Sequence, residues 1–209
     1  SDQAPQSYFA DWTVIISAMK CKLQGYDVFL DNPCDFWNRR HVYGSILLFL
    51  PYSTNLNNLY SIYIPIFFNL LFLYVVISHI DFKKVEQLII YILFIFSPAT
   101  LLAVERFNID ILIFLILLLI CHLRSKTLKL ILIVIISTAK FYPVITSIVF
   151  FFKGINKKNL SYFLISAAFI AMILFLDNDN LIKIFSNIGQ ATASHQLAFG
   201  IMHFSNFPI

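Results

Sequence analysis

Four groups of residues carry side chains able to do chemistry. Lys140 interrupts the apolar run 129–152 and is followed by Tyr142 and Pro143. An ionisable group at membrane depth costs about 2.5–3.5 kcal/mol on insertion scales. Such a lysine either snorkels or pairs locally, or it faces a wet cavity and contacts an anion, helped by the backbone N–H groups of open helix ends. Glu105, Arg106, Asn108 and Asp110 crowd together between two apolar segments. They form either a solvated turn with a Glu–Arg pair or the rim of a site. Asp11 stands beside Trp12 at the head of a helical pattern. It is either an N-terminal capping carboxylate or a general base at a water–membrane boundary. The run 31–44 holds Asp35, Arg39, Arg40 and Tyr43 among further aromatic residues. Carboxylate, guanidinium and aromatic faces suit sugar or phosphate recognition, and equally suit an interfacial loop.

The elements that position these residues follow from composition. The chain has 209 residues, of which 59% are hydrophobic and 12% charged. Soluble domains run near 45–50% apolar and about 25% charged. Too few polar groups are present to cover a water-facing surface, which excludes an ordinary cytosolic globule, a disordered chain and a disulfide-rich mini-protein. An all-α integral membrane protein, embedded in the lipid bilayer, remains. The chain opens polar, with no initiator Met, and ends on Phe207-Pro208-Ile209, so it reads as a piece of a longer protein.

Residues 11–23 fit an amphipathic helix, with Trp12, Ile15, Ile16, Met19 and Leu23 at helical spacing. The apolar segment 45–50 is too short to span and suits an interfacial or re-entrant piece ending at Pro51. Segment 59–79 covers about 30 Å as a helix, enough to cross, with Pro65 as a potential kink. Segments 88–98 and 111–123 are short arms around the polar tip 105–110, and 160–176 is a further span. The chain divides into an extracytoplasmic loop with amphipathic and interfacial helices (1–56), a transmembrane region (57–176) and a second extracytoplasmic segment (177–209).

Positive charge is concentrated in two short loops. One carries Arg124, Lys126 and Lys129, and the other Lys153, Lys157 and Lys158. Both belong on the cytoplasmic face, yet a single apolar segment joins them. A re-entrant hairpin broken at Ala139-Lys140-Phe141-Tyr142-Pro143 places both inside. Pro143 removes a donor and disfavours helix at Tyr142. Such a break is tolerable in lipid only if it is covered by protein or lines a cavity. The tip 105–110 then points outward.

Of the cysteines, Cys121 lies in an apolar run and suits packing, whereas Cys21 and Cys34 are either free thiols or a disulfide. No phosphate loop, no Cys-x-x-Cys pair and no His-Glu-x-x-His motif occurs, and the five histidines have no metal spacing. The basic groups belong to a lipid-embedded body, which argues against nucleic acid as a partner.

The segments Phe9-Ala10-Asp11-Trp12, Leu23-Gln24-Gly25-Tyr26-Asp27-Val28-Phe29, Glu105-Arg106-Phe107-Asn108-Ile109-Asp110 and Ala139-Lys140-Phe141-Tyr142-Pro143, in that order, resemble the GT-C superfamily of membrane glycosyltransferases. The resemblance is to its polyprenyl-phosphate-sugar-dependent bacterial mannosyl- and arabinofuranosyltransferases, and it covers most of residues 9–143. Two departures stand out: Phe29 replaces the Tyr of the family's turn, and Phe107-Asn108 stands where the family often has Gly-Asn. Family members are longer, which fits a fragment lacking the first membrane helix and the C-terminal helices.

The resemblance implies a multi-helix GT-C-like bundle with short hairpin and re-entrant helices. It implies a multi-pass protein of the cell membrane, a bacterial inner membrane, with its site on the extracytoplasmic face. The donor is a polyprenyl-phosphate-linked sugar and the acceptor a glycan or glycolipid. Asp11, matched to the family's loop acid, takes the acceptor's proton. Lys140, Arg106 or one of Arg39 and Arg40 stabilises the departing phosphate, and Tyr142, Glu105, Asn108, Asp35 and Tyr43 complete the candidate substrate-binding set. No cofactor is required, and Asp11 with Asp35 is the pair that a divalent metal would use. The rival classes are a transporter or flippase for a lipid-linked sugar and a non-catalytic membrane subunit.

Overall fold

The structure, a computed structural model, describes residues 9–53, 56–151 and 157–191. Among them there is no strand. Eight α-helices follow in order: α1 (Ala10–Leu23), α2 (Leu59–Ser78, opening on a π-turn), α3 (Val85–Ile95), α4 (Pro98–Arg106), α5 (Asp110–His122), α6 (Lys126–Ala139), α7 (Lys157–Leu176) and α8 (Asn178–Ala191). Two 3-10 helices, Ser45–Phe49 and Tyr142–Phe151, complete the set.

Two helices are long and apolar enough to cross a membrane: Leu59–Ser78 with mean hydropathy 2.0, and Asn159–Leu176 with mean hydropathy 2.1. Helices α3 and α4 together make a third, bent by 51° between them. The bend has a local cause. Pro98 opens α4, and the Ser97 hydroxyl caps it by accepting from Thr100 N–H at 3.2 Å. Large side chains on these helices, among them Phe67, Leu70, Ile90 and Leu93, are 60% or more exposed. That outward apolar belt is what a bilayer covers and water does not.

Pro65 makes no simple kink. In a π-turn the carbonyl of Tyr60 faces the nitrogen of residue 65, which in proline has no hydrogen. That carbonyl instead accepts the Trp12 indole N–H at 2.7 Å, tying α2 to α1.

Helix α1 departs from the sequence expectation. Val14, Ile15 and Ile16 are all buried, and three consecutive residues cover about 200° of a helix. Only Lys20, Lys22 and Leu23, the last 72% exposed, face outward. Helix α1 is therefore a core helix and not an amphipathic surface helix. Its residues share one contiguous core with Phe72, Phe107, Ile133 and Ile184. The segment 45–50 likewise packs inward, through Leu47 and Leu48 against α1 and α6.

The polar tip is also differently built. The arm 88–98 continues past the bend as α4, so Glu105 and Arg106 are its last turn and not a loop. Reversal occurs at Phe107, whose φ of 46° and ψ of 63° are left-handed. That conformation costs about 1–2 kcal/mol for a residue with a Cβ. Phe107 is fully buried, with edge contacts to Trp12 at 5.3 Å and Phe9 at 6.3 Å. Burying a phenylalanine contributes about 1.5–3 kcal/mol, and each aromatic pair about 0.5–1.5 more. Packing therefore outweighs the strain.

The expected break after Ala139 is present. Lys140 leaves the helix in extended conformation (φ −140°, ψ 140°), and the 3-10 helix Tyr142–Phe151 folds back against α6 and α7. The two ends of the bundle consequently differ. At one end His79 meets His122, ring centres 6.1 Å apart, and Lys126 bonds Asn159. This end gathers Arg124, the first turn of α6 with Lys126 and Lys129, which the sequence placed in a loop, and the start of α7; Lys153 of the second basic loop lies outside the described residues. At the other end the α4–α5 reversal, the break at Lys140, the N-terminal segment and the exit of α7 come together. Ser45 donates to Asp177 at 2.6 Å, and Lys183 pairs with Asp27 at 2.6 Å.

Candidate functional site

Asp11 lies in the first turn of α1 without capping it. The N-cap position belongs to Phe9, and no side chain caps the helix. The carboxylate points instead at the α4–α5 reversal. Asn108 Nδ2 donates to Asp11 Oδ2 at 2.9 Å, and Arg106 Nη1 stands 3.9 Å from Asp11 Oδ1. The left-handed turn at Phe107 is what swings Asn108 back toward α1, and its Oδ1 also accepts from Asp110 N–H at 3.1 Å.

The break supplies the other half. Lys140 Nζ pairs with Asp110 Oδ1 at 2.7 Å and reaches Asn108 Oδ1 at 3.4 Å. Tyr142 O–H donates to the same Asp110 oxygen at 2.6 Å. The ammonium lies 5.7 Å from the ring centres of both Tyr43 and Tyr142. Tyr43 is held there because Gly44 N–H donates to Ala139 O at 3.0 Å, the last carbonyl before the break. Gly44 permits that approach; a Cβ on it would stand 1.7 Å from the Thr138 carbonyl oxygen. Burial, then the negative charges of Asp11 and Asp110, push the Tyr43 phenol well above its ordinary range, with Arg39 opposing.

Asp11, Tyr43, Arg106, Asn108, Asp110, Lys140 and Tyr142 therefore converge from four chain segments. Two carboxylates and two cations make the cluster formally neutral. The Asp11, Arg106 and Lys140 side chains are 20–22% exposed, and Asp110 is 45% exposed. The cluster is thus partly desolvated and still open to a ligand. A phosphate arriving at Lys140 has to compete with Asp110. Asp110, on sequence only one more charge of the tip, is the residue on which Lys140 and Tyr142 both close. The signal for it was the lysine itself, since a cation at membrane depth requires a counter-ion.

Other candidates lie apart from these contacts. Arg39 grips Asp35 with Nε at 2.9 Å and Nη2 at 2.8 Å, and rests on the Trp37 ring at 4.5 Å. Asp35, 4% exposed, also accepts the N–H groups of Trp37 and Arg39. The pair organises its own loop. Asp35 is therefore not poised to share a metal with Asp11, because its oxygens are occupied by Arg39 and the backbone. Among the described residues no group of three or more His, Cys, Asp or Glu side chains is placed to hold a metal ion. Glu105 and Arg40 are exposed, and Glu105 makes no ion pair to Arg106 or to other described residues. Cys121 is exposed at the end of α5 and does not pack inward.

The loop 24–44 is fastened at its base. Cys21 and Cys34 form a disulfide, Cα atoms 5.6 Å apart. Asn32 Nδ2 donates to Arg39 O at 2.9 Å, and His41 N–H to Val28 O at 2.9 Å. His41 is fully buried, and its pKa is pushed down from 6.5 to about 4, chiefly by burial. Compared with known proteins, the chain matches no family model, no curated protein and no solved structure.

Proposed function

We propose that the protein is a GT-C-like membrane glycosyltransferase that moves a sugar from a polyprenyl-phosphate donor to an acceptor hydroxyl on the extracytoplasmic face. The observation that carries this reading is the link Asp11–Asn108–Lys140: a carboxylate and a cation, held by one amide, at the bundle end opposite Arg124, Lys126 and Lys129. A base for the acceptor and a cation for the leaving phosphate are the two groups such a transfer needs. The glycine that the family often has at position 107 suits a left-handed backbone, and Phe107 adopts that backbone here.

Asp11 Oδ2 is engaged by Asn108, while Oδ1 faces Arg106 beyond hydrogen-bond distance. Oδ1 is the oxygen that takes the acceptor's proton. The acceptor oxygen bonds to the anomeric carbon as the bond from that carbon to the phosphate oxygen breaks, with inversion. The electron pair goes to the polyprenyl phosphate. Lys140 and Arg106 offset the charge gathering there, a kind of stabilisation worth about 10²–10³ in rate per donor removed. Asp110 is the resting counter-ion that Lys140 leaves on donor binding.

Purified protein reconstituted with sugar-labelled polyprenyl phosphates and an alkyl glycoside acceptor tests this reading. A new glycosidic product and one released polyprenyl phosphate per transfer are expected. A labelled lipid that crosses the vesicle bilayer with its sugar bond intact, and with no product formed, assigns the protein to the transporters instead.

A further inference from the structure

Two adjoining pockets lie beside the cluster and share Ser45, Phe49 and Asp177. One, about 170 Å³, is walled by Ile46, Phe141, Ile173 and Leu174 and is apolar. The other, about 260 Å³, is walled by the polar Lys22, Tyr26, Asp27 and Asn180 and by the apolar Val28, Phe29 and Leu48, and is the more polar of the two. Ile173 and Leu174 belong to the last turn of α7, and α8 begins at Asn178. The junction thus lies at the end of α7, a helix long and apolar enough to cross a membrane.

We propose that this groove binds an amphiphile with an uncharged, hydroxyl-rich headgroup: a glycolipid, seated with its chain on Ile173 and Phe141 and one sugar between Tyr26, Asp27 and Asn180. The charges select the headgroup. Asp177 at the junction accepts from Ser45 at 2.6 Å and Asn180 at 2.6 Å, both neutral donors, and among the described residues it forms no ion pair. A phosphate at the same place would face that carboxylate. Asp27 is already paired with Lys183, and Lys22 lies 4.0 Å over the Phe49 ring, so the polar pocket offers acceptors, an amide and an aromatic face without net positive charge. These are the groups that hold sugar hydroxyls. Both pockets are smaller than the roughly 300–1,000 Å³ of drug-sized sites, which fits one sugar and a chain end better than a long glycan. Thr138 and Phe141 line the apolar pocket and flank Lys140, so the groove adjoins the candidate site through its apolar end. The role of this glycolipid as the acceptor rests on the proposed transferase reading; its binding does not.

The test uses an alkyl glucoside with a photoreactive diazirine in its chain, on the protein in lipid nanodiscs, with labelled peptides mapped by mass spectrometry. Label is expected on the peptides holding Ile173 and Phe141. Unlabelled alkyl glucoside should displace it at least about tenfold better than an alkyl phosphate of the same chain length, because the phosphate meets Asp177. Ile173→Trp, which fills the apolar pocket, should abolish the label while leaving the thermal melt intact. Asp177→Asn should bring the two competitors together. Asp11→Asn should label like the wild type, which separates the groove from the transfer chemistry. Label spread evenly over the lipid-facing helices, or equal displacement by glucoside and phosphate in the wild type, overturns the proposal.

Discussion

Asn108 joins Asp11 to Lys140: its amide nitrogen donates to the carboxylate at 2.9 Å, and its oxygen faces the ammonium at 3.4 Å. The two ends of one side chain are matched to opposite charges, so the amide has one sensible orientation. Asn108→Ala leaves Asp11 without its donor and is expected to lower kcat about tenfold to a hundredfold with a smaller effect on donor KM. Asn108→Asp, isosteric but placing a second negative charge against Asp11, should be worse. Steady-state kinetics of the two variants check this order; Asn108→Asp outperforming Asn108→Ala would contradict it.

Lys140 and Asp110 are predicted to behave oppositely toward donor. Lys140→Ala removes the cation for the leaving phosphate and should lower kcat about 10²–10³-fold. Asp110→Asn keeps the size and the Tyr142 contact but frees Lys140 from a 2.7 Å ion pair. Donor affinity should then rise, measured as a lower inhibition constant for polyprenyl phosphate. Weaker inhibition in Asp110→Asn would show that the pair positions Lys140 and does not compete with phosphate.

Gly44 is predicted to be irreplaceable for stability. A Cβ there would lie 1.7 Å from the Thr138 carbonyl oxygen and 3.4 Å from that of Ala139. Both partners are backbone at the end of α6 and cannot rotate away. Gly44→Ala should destabilise by about 1–3 kcal/mol or more, as overpacking does, and should displace Tyr43 from Lys140. Thermal unfolding of the purified variant gives the answer, with Gly25→Ala as a control in open space, strained only by its φ of +89°.

The Cys21–Cys34 disulfide closes a short loop, the two residues being 13 apart in sequence. On the loop-closure picture it contributes about 3 kcal/mol. Reductant, or the Cys21→Ser/Cys34→Ser pair, should lower the melting temperature, with a loss of stability of about that size. A melt that reductant leaves unchanged would mean that the packing of Val28, Phe29 and His41 alone holds the loop.

His41 sets a pH dependence of stability. It is fully buried, its Nδ1 has no hydrogen-bond partner, and its Nε2 lies 3.5 Å from Gly44 O. Burial, the largest cause, holds its folded pKa near 4 against 6.5; Lys22 lowers it further, and the Gly44 carbonyl and Asp177 oppose. The unfolded chain takes up the proton first as pH falls. The stability from a neutral His41 is therefore complete above about pH 6.5 and is lost between there and pH 4, on the order of 3 kcal/mol at most. His41→Phe, which can keep the edge contacts to Phe29 and Tyr43, should flatten the curve in that window. Parallel wild-type and variant curves would contradict this.

Much of the path of the chain was legible. The apolar lengths of 59–79 and 160–176, and the conflict between two basic loops and one joining segment, were enough to expect two helices of crossing length and a break after Ala139, and the structure has both. Helix α1 was misread because a regular apolar spacing looks alike on a surface helix and on a core helix; what decides is Val14 between Trp12 and Ile15, and the partners that cover the far side: the 3-10 helix Ser45–Phe49, the start of α2, and α4. Arg39 and Asp35 looked like ligands because residue types do not reveal that a guanidinium four positions away will occupy the carboxylate. Asp11, Asn108 and Lys140 were legible as candidates from their types and the order of the motifs, but their convergence depends on how α1, the α4–α5 reversal and the break pack together. The place of Asp110 in it depends on the tight turn at Phe107, which no glycine advertised.

The proposed transfer stands on the carboxylate of Asp11. In reconstituted membranes, single-turnover transfer from a polyprenyl-phosphate sugar should fall about 10²–10⁴-fold in Asp11→Asn, the usual contribution of a positioned base, while binding of polyprenyl phosphate stays at the wild-type level. Asp11→Asn protein that transfers sugar at the wild-type rate contradicts the assignment of Asp11 as base.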